Sequence, residues 1–358
     1  MRRKTIETRR RGAQPLLFFI LLFLLFLNGC AKTTGTPAGR QVNLYVWSNY
    51  IPESALRDFQ RSTGILLNYD TYDSNEALLE KMQSGLSEYD VIVPSDYMIG
   101  ILRRQNLLQP LNHSRIQNIR NISGRFLNAV YDPGNIYSVP FLWSTTGIGY
   151  NKTKVTDVVD SWAILWNPKY AGRTLMLDDM RECFSAALKW KHHSINSTNL
   201  ADINEAKQLL LMQKPLLKAY NSTNFDDVLL AGDVWITHAW SGQIAQVAAQ
   251  NPDLAYVIPE EGGVLAVENL AIPKSAPHKD EAHILINWLL DAHVGAKITN
   301  LSRYPNSNEA AKRFIDPAIL NNSMIYPDEA TLERCELVAD IGPVYEVLDR
   351  YWTEIKSR

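Results

Sequence analysis

Acidic side chains set among aromatic ones are the chemistry-bearing feature of this sequence. Trp47, Tyr50, Tyr97, Trp143, Trp240 and Tyr304 fall at expected strand ends and in loops, where aromatics are not core by default. Ring faces carry partial negative charge, attract an ammonium group by about 0.5–2 kcal/mol each, and also stack against methylene chains. Asp179-Met180-Arg181-Glu182 opens an expected helix, and the i, i+3 spacing puts both carboxylates on one face, able to receive an ammonium group together. The same two acids would also offset the helix macrodipole and cap free N–H groups, and Arg181 is placed to neutralise either. Glu268 is a lone acid within the apolar extended stretch Val264-Leu265-Ala266-Val267-Glu268-Asn269, where a buried charge requires a partner. A bound cation would provide it.

Templates for catalysis are missing from the sequence: there is no Gly-x-Ser-x-Gly elbow, Walker loop, Gly-x-Gly-x-x-Gly after a strand, or His-Glu-x-x-His. His192 and His193 are adjacent, so on a helix they point in different directions and do not form a metal site. Cys183 and Cys335 have neither zinc nor redox spacing. The expectation is a binding protein that is not an enzyme and uses no cofactor or metal.

The elements that must position these residues begin after a distinct leader. Arg2, Arg3, Lys4, Arg9, Arg10 and Arg11 precede an unbroken apolar run, Leu16 to Leu27, that is too short to span a bilayer and reads as a signal peptide over residues 1–29. The run ends in Leu27-Asn28-Gly29-Cys30, similar to a bacterial lipobox, so Cys30 is expected to carry a lipid anchor, with residues 30–40 a flexible tether. Residues 1–29 hold six Lys/Arg and one Glu, which leaves 30 basic against 37 acidic side chains, a net charge of −7. Such a surface disfavours nucleic acid and attracts cations.

Val42 to Trp47 alternates as a strand does, Pro52 opens a helical pattern through Leu56 and Phe59, and Gly64 ends it. Ile65 to Thr71 is again strand-like, and Asp73-Ser74-Asn75-Glu76 predicts a capping-box start for a helix that carries Leu78, Leu79 and Met82 inward. Tyr89 to Val93 has no alternation, as expected of a strand buried on both faces. This β-α-β-α-β order builds a mostly parallel sheet, with ligands outside the carboxyl ends of its strands, where Trp47 and Ser95 lie. Tyr137 to Gly149 and Leu265 to Pro273 read as extended segments and Asp179 to Lys191 as a helix.

With these segments in place, residues 41–358 resemble the periplasmic spermidine/putrescine-binding proteins, the receptors of polyamine ABC transporters. The resemblance is carried by YVWSNYIPES, DTYDSNEALLEKM, YDVIVPSDY, YSVPFLWSTTGIGYN, SWAILWNPKYAG, LMLDDMRECF, THAWSG, EEGGVLAVENLAIP and RYPNSN, in that order. It implies an α/β, two-lobed periplasmic binding protein of type II, each lobe a mostly parallel sheet flanked by helices and joined by a hinge. The lobes would be 41–144 with 267–308, and 145–266 with 309–358. The ligand-binding residues it implies are Trp47, Ser48, Asn49, Tyr50, Ser95, Tyr97, Asp179, Glu182, Ser222, Trp240, Glu268 and Tyr304. Partners implied are a polyamine ligand and membrane permease subunits, in a periplasmic, membrane-anchored setting. Asn49 stands where relatives often carry an acid, Glu268 where they carry Asp, Ala266 where they carry an aromatic, Val338 for a Gln, and Gln243 for an Asp of the putrescine-selective branch. These departures keep open a receptor for another small organic cation or amino-acid derivative; a polyamine-sensing surface lipoprotein without transport is a third reading.

Overall fold

The computed structural model describes residues 39–48, 50–85 and 88–357. The leader, Cys30, most of the tether and Asn49 lie outside the described residues. Strand β1 (Gln41–Trp47) leads to the helix Glu53–Thr63, which buries Ala55, Leu56 and Phe59 and ends at Gly64 in the left-handed conformation that a residue without Cβ adopts freely. Strand β2 (Leu66–Tyr72) returns parallel to β1. Ser74 caps the helix Asn75–Gln83, its Oγ accepting from the Ala77 N–H at 3.2 Å. Leu78 and Met82 are buried, while Leu79 is only half-buried. The expected capping box, Asp73 to Glu76, does not form: the cap falls one residue later, on Ser74, and Glu76 Oε1 instead accepts from the Tyr345 hydroxyl at 2.7 Å. Strand β3 is shorter than the sequence predicts, Val91–Ile92, because the chain turns at Pro94 into the helix Asp96–Arg104.

The remaining strands are β4 (Ser138–Asn151), β5 (Thr174–Met176), β6 (Leu217–Tyr220), β7 (Ile236–Trp240), β8 (Leu254–Val257), β9 (Val264–Ala271) and β10 (Glu336–Leu337). They run in the order β2-β1-β3-β9-β4-β7-β5-β6, with β10 on β9 and β8 on β4. Parallel pairing joins β1 to β2 and β3, and β5 to β6 and β7. Strand β4 is antiparallel to β9 over Ser138–Thr146, then to β7 and β8 as far as Asn151. The parallel character expected from the β-α-β pattern therefore holds for β1 to β3 and for β5 to β7, whereas the long strands β4 and β9 pair antiparallel.

Two lobes follow from where apolar side chains collect. One core gathers Val42, Leu44, Phe59, Val139, Phe141, Leu142, Val267 and Leu270; another gathers Ile148, Trp162, Met176, Phe184, Ile236 and Leu348. Strand β4 contributes Leu142 to the first and Ile148 to the second, so it passes from one lobe into the other. Trp143, an aromatic the sequence placed among possible cation contacts, packs in the first core against Phe126 and Tyr326, with ring centroids 5.8 and 5.9 Å away. Cys183 and Cys335 are free thiols, and the Cys183 S–H donates to the Leu177 carbonyl at 3.1 Å.

Gly262 precedes β9 with φ +84°, and a Cβ there would lie 1.9 Å from the Arg334 carbonyl oxygen. Gly262→Ala is expected to lower stability by at least about 2 kcal/mol, combining left-handed strain with displacement of the Arg334 backbone. Urea unfolding measures it; an unchanged midpoint would show that this approach bears no load.

Candidate functional site

One cavity of about 70 Å³ is lined by residues of both lobes. Trp47, Ser48, Tyr50, Ser95, Tyr97, Asp179, Glu182, Ser222, Trp240, Glu268 and Tyr304 all line it, so the described site residues expected from sequence converge on one place. Gln243, Ala266 and Val338, the departures from the family pattern, line it as well.

The carboxyl end of β1 delivers Trp47, whose indole Nε1–H donates to Glu268 Oε2 at 2.7 Å. Ser95, turning out of β3, donates its hydroxyl to Glu268 Oε1 at 2.8 Å, and a single β-bridge pairs the backbones of Ser95 and Glu268. Asn75 Nδ2 donates to Ser95 Oγ at 3.0 Å, so a relay of neutral donors ends on the carboxylate. In the second lobe β7 ends on Trp240, whose Nε1–H donates to Glu182 Oε1 at 2.9 Å, where the Thr146 hydroxyl also donates at 2.9 Å. Each lobe thus contributes one carboxylate held by an indole N–H. An indole is donor only, so it orients the acid without supplying a charge and leaves its ring face for an aliphatic chain.

Among the described residues neither acid has a Lys or Arg partner. Glu268 is 5% exposed and Glu182 8%, and Glu182 Oε2 has no hydrogen-bond partner. His238 Nε2 lies 4.0 Å from that oxygen, but burial pushes the imidazole down to about 3, so it is neutral. Burial, with Asp96 adding repulsion, pushes Glu268 up to about 8. Burial followed by the charge of Asp179 pushes Glu182 up to about 8. Asp179 caps its helix, Oδ1 accepting from the Glu182 N–H at 3.0 Å, and is pushed up to about 6 by burial and then by Glu76. Asp179 thus both caps its helix and lines the cavity.

Five carboxylates line the cavity, Asp73, Asp96, Asp179, Glu182 and Glu268, against one guanidinium. Arg181 donates to the carbonyls of Ala339 at 3.0 Å and Ile195 at 3.4 Å and to Asn196 Oδ1 at 3.1 Å, and its guanidinium sits 5.8 Å over the Tyr97 ring. Its charge is committed to carbonyl oxygens rather than to either Glu. Tyr50 and Tyr304 close another wall with ring centroids 4.3 Å apart, and the Tyr304 hydroxyl donates to Gln243 Oε1 at 3.3 Å.

Sequence reading missed Asp73, Asn75, Asp96, Ser144 and Thr223 on the lining, and Thr146 behind it. A usable signal existed for two of them. Ser144-Thr145-Thr146 is a polar triplet inside an otherwise apolar extended segment, and buried hydroxyls in such a strand need partners. Asn75 was hidden inside a helix-start motif that already explained it.

The bacterial extracellular solute-binding protein model matches residues 54–322. The chain is 34% identical to the spermidine/putrescine-binding periplasmic protein of Escherichia coli over 87% of its own length and 90% of that protein. It is 33% identical to the putrescine/cadaverine-binding protein of Pseudomonas aeruginosa, covering 95% of this chain and 99% of that one. Among solved structures, the TpPotD lipoprotein of Treponema pallidum superposes with a TM-score of 0.81 at 29% identity, covering 89% of this chain and all of that one. With this breadth of matching over the chain that forms the cavity, the chain belongs to the bacterial extracellular solute-binding protein family.

Proposed function

We propose that this protein is the substrate-binding component of a polyamine ABC import system, taking a spermidine- or putrescine-like cation into the interlobe cavity and presenting it to membrane permease subunits. The observation that carries this reading is the pair of indole-held carboxylates, Trp47–Glu268 and Trp240–Glu182, on one cavity that is short of positive charge. A linear diamine or triamine satisfies both acids with its ammonium groups and both indoles with its methylenes. The lobes, 41–144 with 267–308 and 145–266 with 309–358, would close on the ligand about a hinge. Relatives of comparable similarity are named for spermidine, putrescine and cadaverine. We further propose that residues 1–29 are removed and Cys30 is lipidated, so that a periplasmic body stays tethered to a membrane; the Treponema relative is itself described as a lipoprotein.

Calorimetric titration of the full chain in detergent against spermidine, putrescine, spermine and cadaverine at low salt tests the reading. Micromolar binding, about −8 kcal/mol, to one of them is the expected result; no binding to any would withdraw it. Gln243, Ala266 and Val338 favour a second reading, a receptor for another small organic cation or an amino-acid derivative, which displacement by non-polyamine amines would reveal. Trp47→Phe and Trp240→Phe keep a ring but remove the N–H that orients each acid, and each is expected to weaken binding roughly tenfold. Unchanged affinity in both would mean that the indoles act only as apolar walls.

A further inference from the structure

We infer that Gly242 is a positioning residue that sets how far the two lobes close, because its bare backbone is the surface on which the Tyr304 ring of the other lobe comes to rest. The contact governs how the lobes meet, whichever cation the cavity takes. Gly242 lies in the first turn of the helix Ser241–Ala248, which follows β7 in the second lobe. Its φ is outside the left-handed region, so backbone freedom does not call for glycine there, and glycine is among the poorest residues for a helix.

What demands glycine is space. A Cβ at position 242 would stand 2.7 Å from Cδ1 and Cε1 of Tyr304 and 2.8 Å from Cγ, closer than carbon atoms approach. Tyr304 is buried in the core of the first lobe, and its ring packs on Tyr50 with centroids 4.3 Å apart. The backbone that follows it is held to β4: the Trp143 N–H donates to the Pro305 carbonyl at 3.0 Å, and a single β-bridge pairs Leu142 with Asn306. The ring is therefore no flexible chain end that swings aside. On the helix, Ala245 shares a small core with Ala296 of the helix Ala292–Ser302, and Gln246 Nε2 donates to the Ser302 carbonyl at 2.6 Å. Positions 242, 245 and 246 make one helical face, and that whole face meets the first lobe.

Its place in the molecule gives this contact leverage over the cavity. Trp240 and Gln243 flank Gly242 in sequence and line the cavity from the second lobe, while Tyr50 and Tyr304 line it from the first. The approach of Tyr304 to Gly242 thus fixes the separation of the wall that carries Trp240 and Glu182 from the wall that carries Trp47 and Glu268. It lies beside β4, where the chain passes between the lobes, so a small displacement there becomes a larger one at the far rim of the cleft. An added methyl group at position 242 is accommodated by holding the lobes apart, and a ligand then reaches one wall at the expense of the other.

The test is calorimetry with spermidine on the full chain, comparing the wild type, Gly242→Ala, Tyr304→Ala and the double variant. Gly242→Ala is expected to weaken binding by about tenfold or more, the usual size of overpacking by one methyl group. In the Tyr304→Ala background the same change should cost less than about twofold, because the ring it strikes is gone. Equal losses in both backgrounds, or no loss in either, overturn the proposal. Small-angle X-ray scattering supplies a readout that a lost ligand contact would not move: saturated with spermidine, Gly242→Ala should keep a larger radius of gyration than the saturated wild type, and equal radii overturn the proposal. Should Tyr304→Ala bind too weakly to measure, scattering decides alone. A Gly242→Ala chain that loses its cooperative melt also overturns it, since the contact would then hold the fold and not the closing angle. If the wild type does not bind spermidine, the proposal is decided by the radii of the two unliganded proteins, larger for Gly242→Ala upholding it and equal overturning it, while the polyamine reading is judged separately by the four-amine titration above.

Discussion

Glu268→Ala is expected to remove polyamine binding from this protein, a loss of about 100-fold or more. The carboxylate sits 5% exposed with Trp47 and Ser95 on its two oxygens and without a cationic partner. A ligand ammonium that enters this site leaves water and depends on the acid to compensate it. Removing one member of a buried pair strands the other at about 3–5 kcal/mol, which corresponds to roughly two to three decades in Kd. Glu268→Gln separates charge from shape, because the amide oxygen can still accept from Trp47 or Ser95. It should lose nearly as much affinity as Ala, and retention of wild-type affinity by Gln would show that hydrogen bonding, not charge, fixes the ligand. A thermal melt of both unliganded variants distinguishes lost binding from lost folding. Neither should melt far below the wild type at pH 7, since the burial that raises Glu268 makes its ionised form a burden in the empty cavity.

Ligand binding near pH 7 is expected to release roughly two protons. In the empty cavity Glu182 and Glu268 are each pushed up to about 8, so both are largely protonated, and Asp96, pushed up to about 7, is partly so. An incoming cation favours their ionised forms. Binding enthalpies measured in buffers of different ionisation heat give the proton count from their slope; a slope of zero would mean that the acids are already ionised when empty. The same shifts set the stability of the unliganded protein. A carboxyl whose folded value lies above its ordinary 4.5 contributes stability that is present below 4.5 and lost as pH rises through the folded value. The empty protein should therefore weaken between about pH 4.5 and pH 8, and the stabilisation conferred by a polyamine should grow over that same interval. Melting curves with and without ligand across this range check both signs.

Local features were readable because their causes are local. Gly64 ending the first helix, a cap within a residue of Asp73 starting the second and Asp179 capping the helix Met180–Trp190 each follow from a residue's own backbone freedom or side-chain reach within a few positions. The acidic pair Asp179 and Glu182 and the lone Glu268 were legible for a related reason, as charges in segments whose periodicity leaves no solvent for them. Periodicity could not distinguish Trp143 from Trp240, since both end apolar runs; which one faces the core depends on what packs opposite, Phe126 and Tyr326 for the first and the cavity for the second.

By itself the sequence determined the helix ends, the order of strands and helices, and the residue types that a cation would require. Tertiary structure alone decided which of those residues meet. Trp47 reaches Glu268 across 221 residues and Trp240 reaches Glu182 across 58, because β1, β7 and β9 bring distant chain segments to one interlobe cavity. It also decided protonation: an isolated glutamate is ionised at neutral pH, whereas burial, with Asp96 or Asp179 nearby and neutral donors on its oxygens, pushes the same side chain up to about 8.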